Sequence, residues 1–255
     1  METQSVIEIK PVIETIGLTR RYGRETVVDD LNLTIMPGEI FGFLGPNGAG
    51  KTTTLLMLLG LSVPSEGKAL VLGEDPVKSP LKVKSQVGYL PENMGFYGDL
   101  TAFENLSFVA DLNRITDGKD EKVSQVLELV GLANVADKLV SEFSRGMRQR
   151  LGLAEVLVKE PKVIFLDEPT LGLDPDGINT MLDLITRLPE ERGLTIILSS
   201  HLLHLVARVA HRVGILRQGV LLAQGSIKAL GEATGLPEDL EAIYSYYFRG
   251  NAEVS

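Results

Sequence analysis

Cysteine is absent from the 255 residues. Its absence removes disulfides, thiolate zinc sites and a cysteine nucleophile from consideration, and it is compatible with a reducing compartment. A long hydrophobic run is also missing. The best candidate, Leu55 to Val63, is interrupted by Gly60 and Ser62 and falls short of the ~18 apolar residues of a membrane span. Met1 to Lys10 carries acidic residues and no apolar core, so no secretory signal is expected there. Positive charge is scarce. Lys and Arg number 25 against 34 Asp and Glu, a net charge of −9, which argues against the broad basic footprint of a nucleic-acid binder. Local phosphate donors remain compatible with that balance. Repeats and low-complexity tracts are lacking too. Hydrophobic residues make up 44% and charged residues 23%, the composition of a folded globular chain rather than a disordered one. The length suits one α/β domain carrying an insertion.

What is present is an alternation of strand and helix patterns. Ile40 to Leu44, Ala69 to Leu72, Val87 to Leu90, Val163 to Leu166 and Thr195 to Leu198 read as strands. Thr52 to Leu59, stopped by Gly60, reads as a helix, as do Gly177 to Leu188 and Leu202 to Ala210. Arg212 to Leu216 and Val220 to Gln224 flank Gln218-Gly219 and predict a hairpin. Between Thr101 and Val158 the rhythm becomes mostly helical, with breaks at Thr116 to Gly118 and around Gly131. The expectation is a largely parallel sheet covered on both faces, with a helical subdomain of about residues 93–160 inserted into it. The tail after Leu236 reads as a short amphipathic helix ending near Phe248, then a polar, frayed end. Its Tyr244, Tyr246, Tyr247 and Phe248 form a packing face rather than a cofactor box. The division expected is therefore a main unit over 1–235 and a helical tail over 236–255.

Gly45-Pro46-Asn47-Gly48-Ala49-Gly50-Lys51-Thr52, followed by Thr53, fits the phosphate-binding P-loop pattern in full, after an apolar strand and before a helix. Glycines let successive backbone N–H groups turn inward as an anion nest, and the helix that follows aims its positive end at the same point. In such a loop Lys51 would bridge the β- and γ-phosphates of ATP and Thr52 would ligate Mg²⁺. Val163-Ile164-Phe165-Leu166-Asp167-Glu168 is a buried-strand pattern ending in two carboxylates. Asp167 would hold Mg²⁺ and Glu168 would orient or deprotonate the attacking water. On its own, the pair also reads as an acid capping the turn before Pro169.

These residues, together with several further motifs, resemble the nucleotide-binding subunits of ABC transporters from about Ile13 to about Leu230. Phe143-Ser144-Arg145-Gly146-Met147-Arg148-Gln149-Arg150-Leu151 is similar to the family signature, Leu171-Gly172-Leu173-Asp174 to its D-loop, and Ser199-Ser200-His201 to its switch histidine. Tyr22 matches the aromatic on which adenine stacks. All occur in the family's order. The resemblance implies a P-loop NTPase α/β fold with a mostly parallel sheet, an N-terminal antiparallel β portion and an inserted α-helical subdomain. It also implies that Ser144 and Gly146 bind the γ-phosphate held by the P-loop of a second subunit, that Asp174 belongs to the cofactor-binding set, and that His201 positions water at the γ-phosphate. Read alone, Ser144 is a helix cap and His201 a surface residue.

Three positions depart from the commonest family form. Glu92 follows Gly88-Tyr89-Leu90-Pro91 where Gln is usual, and a carboxylate there could still bind the metal. Arg145 and Met147 replace Gly and Gln in the signature. These variants resemble the exporter-type group. Gly88 to Asn93 and Ser144 to Leu153 are also similar to the ATPase subunit serving nitrous-oxide-reductase maturation. The resemblance implies an ATPase using ATP and Mg²⁺, paired with a transmembrane permease and with a second copy or a paralogous subunit. It would then lie in the cytoplasm against the inner membrane face, and would not act on nucleic acid. The competing class is a soluble ABC-type ATPase of translation or DNA repair. One cassette and an acidic charge count against it.

Overall fold

The computed structural model describes residues 10–249. The polar end after Arg249 and most of the Met1 to Lys10 stretch lie outside the described residues. Two sheets form the frame. Strands β1 (Ile13–Tyr22), β2 (Glu25–Ile35) and, after β3 (Ile40–Leu44) and helix α1 (Lys51–Leu58), β4 (Glu66–Val71) make a three-stranded antiparallel sheet in the order β2-β1-β4. Helix α2 (Pro80–Lys84) leads to β5 (Val87–Leu90). Helices α3 (Ala102–Leu112), α4 (Lys119–Leu129) and α5 (Arg145–Leu157) then intervene before β6 (Val163–Asp167). The chain continues through α6 (Pro175–Arg192), β7 (Thr195–Ser200), α7 (Leu203–Val209) and the strands β8 (Arg212–Arg217) and β9 (Val220–Gly225), ending in α8 (Ile227–Thr234) and α9 (Leu240–Arg249).

The second sheet has the order β5-β6-β7-β3-β8-β9. Its first five strands are parallel, and β9 returns antiparallel to β8. The hairpin turn places Gln218 and Gly219 at φ 49° and 84°, the positive values a two-residue turn needs to follow strand twist. All five residues of β3 and of β6 are buried, as a sheet covered on both faces requires. Alternate side chains feed two cores. Ile40, Leu44, Ile164, Leu166, Ile196 and Leu198 pack toward the inserted helices, α6 and α7. Phe41, Phe43, Val163, Phe165 and Ile197 pack toward α1 and the antiparallel sheet. Burial of each fully enclosed aliphatic or aromatic side chain contributes about 1.5–3 kcal/mol.

Local signals explain several boundaries. Thr101 and Glu104 close a reciprocal cap at the start of α3, with Oγ1 accepting from Glu104 N at 3.1 Å. Ser226 caps α8 by accepting from Ala229 N at 3.1 Å. The stretch read as mostly helical is less so between α4 and α5. Residues 131–144 carry only two single-turn 3₁₀ segments, Ala133–Val135 and Val140–Glu142. Gly131, at φ 67°, breaks the α-helical path there. Helix α9 is tied down by Arg217, whose guanidinium donates to Phe248 O at 2.9 Å and lies 5.4 Å from the Phe248 ring. Tyr244 stacks on Phe248 at 4.2 Å, while Tyr246 stays half exposed.

Candidate functional site

Strands β3, β6 and β7 are neighbours and parallel, so their C-terminal ends open on one side of the sheet. Ligands of open α/β sheets bind there. Gly45 to Gly50 link β3 to α1. Pro46 to Gly50 line a cavity of about 250 Å³ together with Lys51, Thr52, Thr53, Val27, Glu92, Asp167 and Glu168, and Gly45 is not part of that lining. The conformation depends on two glycines for different reasons. Gly50, at φ 101°, starts α1, and a Cβ on it would lie 2.5 Å from Val27 O. Gly48, at φ 79°, faces open space, with nothing within 4 Å of an added Cβ. No side chain caps α1. Its first-turn amides are therefore left for an anion, and the helix dipole favours one. Lys51 Nζ arches over the loop, donating to Gly45 O at 2.7 Å and Pro46 O at 3.3 Å.

The two carboxylates enter from the tip of β6. Thr52 Oγ1 donates to Asp167 Oδ2 at 2.8 Å, and Ser199 Oγ donates to Asp167 Oδ1. Tyr89 OH is 3.5 Å from Oδ2. Burial, followed by the negative charge of Asp167, pushes the Tyr89 phenol up to about 12. Glu168 adopts φ 49°, a left-handed conformation uncommon for a residue with a side chain. Its amide donates to Ser199 O at 3.1 Å. Its Oε1 lies 3.6 Å from Lys51 Nζ and 3.0 Å from His201 Nδ1, and its Oε2 accepts from Ser200 Oγ at 3.3 Å. With the carboxylate as acceptor, Nδ1 carries the imidazole proton.

Lys51, Thr52, Asp167, Glu168 and His201 thus converge in one chain, with Glu92 on the cavity wall. Ser144, Gly146 and Asp174 do not join them. They line a separate cavity of about 420 Å³ between the N-termini of α5 and α6. Ser144 Oγ caps α5 by accepting from Met147 N at 3.2 Å, and Asp174 caps α6 by accepting from Gly177 N at 2.8 Å. Arg145 folds its guanidinium over Gly172. Tyr22 stands at the end of β1 and is 48% exposed. Arg20 lies 4.3 Å from the ring centroid, and the hydroxyl is 3.4 Å from Ser62 Oγ. Tyr22 is not part of the P-loop cavity wall. A further surface cavity, of about 880 Å³ among α4, α6 and α7, contains none of the predicted site residues. Sequence reasoning gave no role to Ser199, Ser200 or Tyr89. The available signal was two hydroxyl residues ending the otherwise apolar run Ile196-Ile197-Leu198.

A family model described as ABC transporter matches residues 28–171, more than half of the chain. The chain belongs to the ABC transporter family. A model of an AAA domain also matches residues 139–207. This ABC ATP-binding subunit is 46% identical over 213 residues to the bacitracin transport ATP-binding protein BcrA of Bacillus licheniformis, covering 84% of this chain and 69% of that protein. It is 41% identical over 242 residues to the ABC transporter ATP-binding protein YhcH of Bacillus subtilis, covering 94% of this chain and 76% of that protein. Among solved structures, one described as the ATP-binding subunit of an ABC transporter superposes with a TM-score of 0.84 at 28% identity, covering 93% of this chain and all of that one. CbiO1 of Clostridium perfringens, part of the ABC transporter complex CbiONQ, superposes with a TM-score of 0.80 at 27% identity, covering 94% and 96%. The ABC subunit described here is accordingly an ATP-binding, ATP-hydrolysing member of the exporter-type group. Its fold is the mixed α/β frame expected for that family, with the antiparallel sheet at the N-terminal side.

Proposed function

We propose that this ABC subunit energises a separate transmembrane permease, in the direction of export, by closing with a second subunit around MgATP. The observation that carries this reading is the division of the nucleotide machinery. Lys51, Thr52, Asp167 and Glu168 line one cavity, with His201 Nδ1 3.0 Å from Glu168 Oε1, while Ser144, Gly146 and Asp174 line another that has no residue in common with it. A single chain presents two incomplete halves, and a second copy or a paralogous subunit would bring the serine-led helix tip of one to the glycine loop of the other. ATP can drive closure only through a higher affinity for the closed state.

In this reading residues 45–53 hold the triphosphate, Tyr22 offers its exposed ring to adenine, Glu168 orients the attacking water and His201 reaches the γ-phosphate. The donor set fits magnesium. Asp167 Oδ2 and Thr52 Oγ1 meet at 2.8 Å and Glu92 lines the same cavity, all hard oxygen donors. Among the described residues no group of three or more His, Cys, Asp or Glu side chains could hold a metal unaided, which suits an ion shared between one or two carboxylates and phosphate. Bound there, Mg²⁺ would neutralise charge on the phosphates.

The segment Glu92 to Leu100 and the inserted helices would receive the permease. Tyr97 and Phe108, in edge contact at 5.3 Å, are exposed there with Leu112. No helix of the described residues is long and apolar enough to cross a membrane. Attachment to the cytoplasmic face of the membrane would therefore go through the permease. We further assign residues 1–235 to the ATP-binding unit, with the insert at about 93–160, and 236–255 to the tail. The deciding experiment is Glu168→Gln in the purified chain. Turnover should fall at least ~100-fold, while ATP and Mg²⁺ should accumulate a dimer in analytical ultracentrifugation. A variant that stays monomeric with saturating ATP, or that hydrolyses at the wild-type rate, overturns the reading.

A further inference from the structure

Two adjacent serines at the end of β7 each grip one of two adjacent carboxylates at the end of β6. Ser199 and Ser200 are 0% and 2% exposed. Ser199 Oγ donates to Asp167 Oδ1, and Ser200 Oγ to Glu168 Oε2. In each acid the other oxygen faces the P-loop. Asp167 Oδ2 meets Thr52 Oγ1 at 2.8 Å, and Glu168 Oε1 lies 3.6 Å from Lys51 Nζ. Successive residues of a strand point to opposite faces, which is why two neighbouring hydroxyls can serve two neighbouring acids without competing. The parallel register of Asp167 with Ser199 and the bond from Glu168 N to Ser199 O fix the two tips against each other.

We infer that Ser199 and Ser200 are positioning residues with separate tasks: by occupying one oxygen of each acid, Ser199 fixes which Asp167 oxygen is offered to the metal and Ser200 which Glu168 oxygen is offered to the attacking water. The Ser199 half rests on the metal assignment proposed above. A carboxylate rotates freely about its last bond unless something holds it, because that torsion is broad and two-fold. A hydrogen bond to a charged acceptor is strong enough to hold it when buried. Without Ser199, Asp167 would retain Thr52 and the more distant Tyr89 OH, at 3.5 Å, both on Oδ2. Without Ser200, Glu168 would retain His201 and Lys51, both on Oε1.

The test uses the full chain and two readouts: affinity for a fluorescent ATP analogue with Mg²⁺ or with EDTA, and steady-state hydrolysis. Ser199→Ala should lose about tenfold of the gain in affinity that Mg²⁺ confers, with the EDTA value unchanged. Ser200→Ala should lower kcat about tenfold at saturating MgATP while leaving KM and the Mg²⁺ requirement in place. Ser199→Thr and Ser200→Thr keep the hydroxyl and should keep wild-type behaviour. Ser199→Cys and Ser200→Cys, which preserve shape but donate weakly, should follow the alanine variants. The inference is overturned if both serines shift the two readouts in the same proportion, or if the alanine and cysteine variants change melting temperature alone. Should wild-type affinity be the same with Mg²⁺ and EDTA, the metal assignment fails and the Ser199 half with it. Should the wild type respond to Mg²⁺ and Ser199→Ala respond equally, the serine assignment alone fails.

Discussion

The ammonium of Lys51 lies 3.6 Å from Oε1 of Glu168, and both side chains are less than a tenth exposed. Attraction between them is therefore little screened, and each is the counter-ion that lets the other remain buried. Lys51→Met removes one charge and leaves the other. It should lower stability by about 3 kcal/mol as well as abolish ATP binding. Adding Glu168→Gln should return much of that stability without returning binding, because the stranded charge is gone. Calorimetry on the three variants checks the relation.

Gly48 and Gly50 should separate folding from binding. Gly50→Ala places a Cβ against Val27 O, in addition to a φ of 101°. It should cost at least ~3 kcal/mol, and melting curves would show it. Gly48→Ala meets nothing in the folded chain, so its cost should be about 1 kcal/mol from the positive φ alone. Its nucleotide affinity, read by titration calorimetry, should fall nonetheless, since the open space beside Gly48 belongs to the anion cradle.

The signature tip should behave differently from the P-loop. Ser144→Ala removes the cap of α5 and should cost about 1 kcal/mol. An added Cβ at Gly146 has nothing within 4 Å, so Gly146→Asp should fold. Both should bind ATP as the wild type does under conditions where the chain is monomeric. Both should lose turnover and the ATP-stabilised dimer, as measured by hydrolysis and sedimentation.

A pH effect is expected away from the site. Burial raises the carboxyl of Glu155 above its ordinary 4.5. Between 4.5 and that raised value the folded chain holds more protons than the unfolded one, so stability falls as pH rises through this window. Glu155→Gln should therefore stabilise the protein at pH 7–8, by roughly 1 kcal/mol or 2–4 °C in melting temperature. The gain should disappear below pH 4.5, where the carboxyl is protonated in both states.

Much of the frame is legible from short windows of sequence. Val87 to Leu90 and Ile40 to Leu44 have the predicted limits, because continuous apolar runs bounded by polar turns report burial on both faces. The predicted breaks at Thr116 to Gly118 and around Gly131 bound α4, but the helical pattern expected directly after Gly131 begins only at Arg145 with α5. Strands β1 and β2 are not assigned to residues from the sequence. The register shifts of their pairing fall between Thr15 and Arg21 and interrupt the two-residue alternation there, whereas Leu31, Leu33 and Ile35 alternate with exposed Asn32 and Thr34 in a strand pattern that the sequence does display. Helix α8 escaped as well, being eight residues long with Gly231 inside it.

The sequence alone determined what lies within a few residues along the chain: a glycine loop opening a helix, two acids ending a buried strand, Ser144 capping α5. These depend on local backbone geometry and bonds reaching no more than one helical turn. Only the tertiary structure decided which groups meet. The order β6-β7-β3 brings Ser199 and Ser200 to Asp167 and Glu168, and sets Lys51 beside Glu168. The same packing keeps Ser144 out of that cavity. Long-range placement follows from how whole elements bury their apolar faces against one another, and no window around any one of these residues contains that information.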